Sequence, residues 1–266
     1  MIIGFGISPS RVKASAGISY DADASAFFTA ASITDSTQKS AVNQLVLDLK
    51  SYNIWTKCLA IYPIVGGSAS SHSVNLKTPG TYNLTFTTGW THASTGMTPV
   101  SAYANTSITT TTIGLNSGSL GFYSRTNNTF QGGDIGTFDA FSASYIYTYI
   151  SGSPTNRDYR YTENAGVTRL SSPTRTDGFI CVSRTSNTLV KGYRNGSIEV
   201  SNNATTATNL GTGNIYLGAF NFYGGSPFYS DRELAFGYVS TGLTDTESAN
   251  FYTAVQAYQT TLSRNV

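Results

Sequence analysis

Over residues 177–262 the hydrophobic positions first alternate and then change period. Ile180 and Val182 share one parity, residues 185–187 interrupt, and 189–193 alternate again. Asn195-Gly196 follows; both residues tolerate the positive φ of a type I′ turn, so the pair predicts a tight hairpin. Residues 197–200 leave it as a third short strand. Residues 234–239 form an apolar and aromatic run closed by Gly242. Beyond it Phe251, Val255, Tyr258 and Leu262 recur at helical spacing. Thr244 stands three residues before Glu247, so its hydroxyl can accept the Glu247 N–H while the carboxylate reaches back. A capped helix over 244–262, packed on the sheet, is predicted.

Upstream, residues 21–53 predict a helical hairpin. Asp21 or Asp23 caps a first short helix with Phe27, Phe28 and Ala31 apolar. A second starts at Thr34-Asp35, and its Val42, Leu45, Leu49 and Tyr52 step by three, four and three. About thirty residues bury too little to stand alone, so the pair reads as a clamp on one end of the rest. "CLAIYPIVG" (58–66) reads as a central core strand, with Pro63 demanding an edge or a bulge. "YNLTFTTG" (82–89) alternates as a strand, and "WTHASTGMTPVSAY" as a long loop. "TSITTTTIGLNSGSLGFYSRTN" predicts two strands about Ser117-Gly118. "NNTFQGGDIGTFD" reads as a Gly-rich loop, "FSASYIYTYISG" as a strand, "RDYRYTENAG" as a charged turn and "GVTRLSS" as a short strand. Many short strands closed by turn residues predict a mainly β, two-sheet sandwich over 54–266. Residues 1–20, with Ile2, Ile3, Phe5 and Ile7, are either an assembly arm laid on a neighbour or a frayed terminus.

The order of pieces, with "YRNG" at 193–196, "IYLGA" at 215–219 and "LTDTE" at 243–247, resembles a laminin-G or concanavalin A-like jelly roll. A second resemblance lies in residues 21–79. The helix beginning "ITD" and ending "LVLDLK", then "IWTK", "IYPIVGG", "SSH" and "NLK", is similar to a module of structural proteins in tailed bacteriophage virions; "GWTH" at 89–92 and the C-terminal "LTDTESANFYTAVQAYQTTL" belong to the same pattern. This resemblance implies a non-enzymatic capsid decoration, head-fibre or tail-fibre component. Its partners would be other virion proteins, and it would be a symmetric homo-oligomer with a trimer favoured.

Composition narrows the field. Charged residues are only 11% of the 266, aromatic residues 13%, and the net charge is +2. Aromatic richness with little charge argues against disorder, and the balance leaves no electrostatic footprint for nucleic acid. Arg157, Arg160, Arg169, Arg175, Arg184 and Arg194 give a mildly basic middle that reads as solvated surface. No apolar run is long enough to span a membrane. The start shows no signal-peptide pattern, so the expectation is synthesis in a host cytoplasm and residence on a virion. Cys58 and Cys181 lie in apolar runs and read as buried free thiols, with a long-range disulfide the alternative.

Little catalytic chemistry is visible. The two histidines, His72 and His92, lie in polar loops without the further ligands a zinc site needs. No catalytic residue, metal or cofactor is assigned. Asp134 and Asp139 share a Gly-rich stretch in which laminin-G-like domains sometimes bind calcium, but solvated carboxylates are the preferred reading. The sandwich glucanases of this fold carry E-x-D-x-E on one strand; here no strand carries two acids on one face. Sugar binding is the live alternative, as an adhesion module for host-surface or mucosal glycans. Trp90 with His92 is one candidate platform, and "FNFYGGSPFY" (220–229), with Asn221 and Tyr223, is another. Against both stands packing of these aromatics at a sheet end or a subunit interface.

Overall fold

The computed structural model describes residues 19–128, 131–139, 142–150, 155–163, 168–203, 209–225 and 227–266. The candidate arm residues Ile2, Ile3, Phe5 and Ile7 lie outside them. The helices are α1 (Ala22–Ala30), α2 (Ser36–Ser51), the short α3 (Ala69–His72) and α4 (Thr110–Ile113), and α5 (Asp245–Thr261). The early strands are β1 (Cys58–Tyr62), β2 (Thr85–Phe86), β3 (Trp90–Ala93), β4 (Gly96–Pro99) and β5 (Ala104–Asn105). Then come β6 (Gly118–Ser124), β7 (Gly132–Phe138), β8 (Ala143–Ile150), β9 (Thr155–Glu163) and β10 (Thr168–Ser171). The last are β11 (Gly178–Arg184), β12 (Val190–Arg194), β13 (Ser197–Asn202), β14 (Tyr216–Leu217), β15 (Ala219–Phe222), β16 (Phe228–Tyr229) and β17 (Leu234–Ser240).

Two sheets face each other. One runs β13-β12-β11-β6-β17-β4-β3, with β1 also on β17; the other runs β10-β9-β8-β7-β14-β5-β2, with β15 and β16 attached at β7. Pairing is antiparallel except for β15 beside β7. The fold is thus the expected mainly β sandwich, with an N-terminal helical hairpin and a C-terminal helix.

The central strands of the first sheet are buried on both faces, and their sequences show why. Leu120, Phe122, Ile180, Val182 and Val239 point between the sheets, where they meet Ile135, Ile146, Tyr159, Tyr161 and Leu217. The opposite parity, Tyr123, Phe179, Cys181, Phe236 and Tyr238, meets Phe251, Val255 and Tyr258 of α5 in a core shared with Phe27, Val42, Leu45 and Leu49. Both parities are apolar, so β6, β11 and β17 bury every residue. The helices form a third layer on that face. Asp21, Asp35 and Thr244 cap α1, α2 and α5, the last through a full capping box. Cys58 and Cys181 are buried free thiols, pushed up to about 12 by burial.

Several segments depart from the expectation. β1 is an edge strand, not a central one. It ends before Pro63, which has no N–H to donate, and its free edge is closed by Asn75, whose Oδ1 accepts from Ile61 N at 2.9 Å, and by Leu76 N on Ile61 O at 2.8 Å. Of residues 82–89 only Thr85 and Phe86 pair. The stretch before Gly118 forms α4 rather than a strand. The "WTHASTGMTP" loop is a hairpin, β3–β4, turning at Ser94-Thr95. The "RDYRYTE" turn is strand β9. Its charges enter a sheet because neighbouring elements bring opposite ones: Arg157 meets Glu199 at 2.8 Å, Asp158 meets Arg169 at 2.7 Å, and Glu163 lies 3.9 Å from Arg184. Arg157 and Arg184, expected in solvent, are fully buried for the same reason.

The Asn195-Gly196 hairpin forms with positive φ at both residues. Its base is held by Asp177, which takes Arg175 and, at 2.9 Å, Arg194 Nη2. These ion pairs, Arg175 first, hold the Asp177 carboxyl below its ordinary value. A lowered folded value stabilises above the unfolded value, about 4, and that stabilisation is lost as pH falls through the folded one. Asp177→Asn is therefore expected to cost about 2 kcal/mol at pH 7, moderated because Arg175 is half-exposed. Urea titrations of both proteins should show the gap steady above about pH 5 and closing below about pH 4.

Candidate functional site

A cavity of about 550 Å³ opens at the edge of the sandwich between residues 98–101 and 227–231, with Gln131 at its side. Such a volume falls within the usual range for small-molecule sites. One wall is Phe228 and Tyr229 of β16; Pro99 and Val100 face them. Phe228 is 38% exposed and Val100 68%, large values for apolar side chains in so well buried a fold.

The wall is placed by glycine. β16 pairs with β15, Phe228 opposite Phe220 and Tyr229 opposite Ala219. This small ribbon lies against β7, where a Cβ on Gly132 would sit 2.4 Å from Tyr229 O and one on Gly133 2.4 Å from the Phe220 ring. The "QGGDIG" segment, expected as a loop, is a strand whose missing side chains admit the ribbon. Below the wall, buried Asp134 takes Arg232 Nη1 at 2.6 Å and Ser230 Oγ at 2.7 Å. Asp134 is thus an internal anchor rather than a solvated carboxylate. Asp139 accepts from the backbone N–H groups of Ser142, Thr212 and Gly213.

One face of Phe228 lies on Phe220, with centroids 4.8 Å apart and planes at 16°, and Phe222 meets it edge-on at 5.3 Å. Tyr145, Phe138 and Tyr223 continue this aromatic cluster. The polar lining includes Ser101, Gln131 and Asp231. Asp231 Oδ2 accepts from Asn128 Nδ2 at 2.9 Å; its Oδ1 is shielded and has no partner among the described residues. Among the described residues the lining holds this one carboxylate and no Lys, Arg, His or Cys. Among the described residues no group of three His, Cys, Asp or Glu is suited to a metal, and no helix is long and apolar enough to cross a membrane.

The four sequence candidates lie around the cavity rather than in it. Trp90 pairs opposite Pro99 and packs on Gly218, where a Cβ would sit 2.4 Å from its Cη2. Its ring meets Phe86 edge-on at 5.5 Å and lies over His92 at 6.2 Å, so Trp90 braces the Pro99 side from behind. His92 and His72 share a contact at Nδ1, 2.9 Å apart, which requires one ring to donate and the other to accept. Asn221 is buried and holds its own turn: Nδ2 donates to Asn214 O and Oδ1 accepts from Gly224 N. Tyr223 is 55% exposed and rests on Phe138 and Phe222. Val100 and Asp231 were missed by sequence reasoning. The exposed valine after proline in a polar stretch was the available signal, hidden once the stretch was read as a loop.

No family model matches the chain, and no curated protein does. Solved structures do. The binding domain of botulinum neurotoxin serotype D is similar with a TM-score of 0.51 at 12% identity, over 76% of this chain and 52% of that one. A Trypanosoma rangeli sialidase in complex with 2,3-difluorosialic acid gives 0.50 at 8% identity, over 80% of this chain and 38% of that one. Domain 4 of an extracellular arabinanase from Geobacillus stearothermophilus, in complex with arabinotriose, gives 0.43 at 15% identity, over 73% of this chain and 98% of that one. The chain therefore spans about half of the toxin domain and less of the sialidase. These identities are low, and the first two likenesses show the fold: a jelly-roll-like sandwich.

The histidine pair yields a prediction. Burial, then the charges of His92 and Arg264, pushes His72 down to about 3; burial also lowers His92. Folded rings that resist protonation make stability fall as pH drops below the ordinary histidine value, about 6.5. His92→Ala leaves the buried His72 Nδ1 without a partner and is expected to cost about 2 kcal/mol at pH 7.5. Thermal melts of wild type and variant across pH 4–8 check both statements.

Proposed function

We propose that this chain is a non-enzymatic glycan-binding module and that the cavity walled by Phe228 is its site. The observation that carries the reading is a part-exposed aromatic ring with one face fixed on Phe220, at the wall of a mainly apolar cavity that also carries a few polar groups. A pyranose presents an apolar C–H face and a rim of hydroxyls. It matches a site that offers an aromatic plane beside hydroxyl, amide and carboxylate groups.

The carboxylates support the absence of catalysis. Glycoside hydrolysis needs two acids across the scissile bond, and the lining holds one among the described residues. Eight others pair with basic side chains. Asp134, Asp158, Asp177, Glu163, Glu199 and Glu233 face arginines, and Asp245 and Glu247 face lysines.

A second reading concerns the setting. The virion-like motifs of residues 21–79 fall on α2, β1, α3 and the Asn75 segment that closes the β1 edge, where the helical layer joins the sandwich. From that resemblance we propose a capsid-decoration or fibre component, homotrimeric and displaying the module toward host glycans. Light scattering on the purified protein and mass spectrometry of phage particles test it. A monomer that no particle contains removes it.

For the site itself, a glycan array followed by calorimetry on the best binder is decisive. Phe228→Ala is expected to weaken binding by about 2 kcal/mol, roughly thirtyfold. Tyr223→Ala, outside the cavity, should change it less than about threefold. An array with no binder eliminates the reading.

A further inference from the structure

We infer that the cavity takes neutral glycans and discriminates against acidic ones; the inference rests on the glycan-binding reading and specifies its ligand class. Among the described residues the lining carries one formal charge, that of Asp231. The arginines in the stem of the wall are committed elsewhere. Arg232 is fully buried on Asp134 at 2.6 Å, and Arg125 Nη1 forks onto both oxygens of Glu233 at 2.8 and 2.9 Å. Among the described residues Asp231 is not neutralised in turn: its partner is the uncharged Asn128 amide, and its second oxygen has none.

A sialylated, uronic or sulfated sugar would bring a second negative charge into this space with no cation to receive it. Two like charges in a partly desolvated site repel strongly enough to cost about tenfold or more in affinity. A neutral sugar brings no charge and meets no such repulsion. Asp231 thus acts as a repellent for anions, while Phe228 supplies the plane.

The test is an array carrying neutral oligosaccharides beside their sialylated or sulfated forms, for example lactose beside α2,3-sialyllactose, probed with the full chain at low and physiological salt. Binding to neutral members, with their acidic partners at least about tenfold weaker at low salt, is expected. Asp231→Asn should narrow that gap to about threefold or less, with melting temperature confirming that the variant folds. Acidic forms bound as tightly as neutral ones, or more tightly, would overturn this inference and leave the glycan-binding reading intact. An unchanged gap in Asp231→Asn would also overturn it, because the carboxylate would then not be the discriminator. No binding to either class removes both.

Discussion

Burial of charge constrains this fold more than any other term. The chain is poor in charged residues, yet four arginines, Arg157, Arg184, Arg232 and Arg264, are among its largest fully buried side chains. A guanidinium taken out of water is tolerable only where carboxylates or carbonyls receive its donors. Each therefore dictates where other segments must lie. Arg157 of β9 reaches Glu199 of β13 and the Arg175 carbonyl. Arg184 of β11 takes the carbonyls of Tyr161, Ser186 and Asn187. Arg264, beyond α5, donates to Ile64 O at 2.6 Å and lies against Pro63 O and Ala235 O, so the chain end is tied to β1 and β17. Compensation is incomplete at Glu163, which burial pushes up to about 7 despite Thr168 and Arg184.

The candidate site depends on the same constraint. Arg232 and Asp134 anchor the stem of the wall that presents Phe228, and Gly132 and Gly133 let that wall approach β7. Rigid support beneath and an exposed ring above is what a binding site requires, because ordering a mobile aromatic on each encounter would subtract from affinity. Elsewhere aromatic rings occupy positions over glycines in the same way. Tyr159 lies over Gly192 and Tyr161 over Gly118, which brings the two sheets together. Phe228 is the ring in its cluster left facing a cavity.

Much of the architecture was legible locally. The α5 capping box, the Asp caps of α1 and α2, the Asn195-Gly196 turn and the strands β8, β11–β13 and β17 follow from hydrogen bonds and periodicities spanning a few residues. Segments were misread where a residue's meaning came from across the fold. "RDYRYTE" resembles a turn until Glu199, Arg169 and Arg184 arrive to neutralise it. "QGGDIG" resembles a loop until the β15–β16 ribbon fills the space its glycines leave. "WTHASTGMTP" lacks an Asn-Gly turn, and its hairpin is held by Trp90 on Gly218 and by β17 beside Met97. The site candidates shared this fate: the sequence could not say that Trp90 faces inward, that Asn221 is bound by its own turn, or that Val100 and Asp231 border the open space.

By itself the sequence determined the class of fold and its local joints, because alternation, capping and turn chemistry act over distances a short peptide can sense. It also set the scarcity of carboxylates. Only the tertiary structure decided which arginines are buried, which aromatic ring is left facing a cavity, and what charge that cavity carries. Those properties belong to pairs of residues up to some two hundred positions apart, such as Ile64 and Arg264, and no local pattern encodes a desolvated contact before the chain has closed around it.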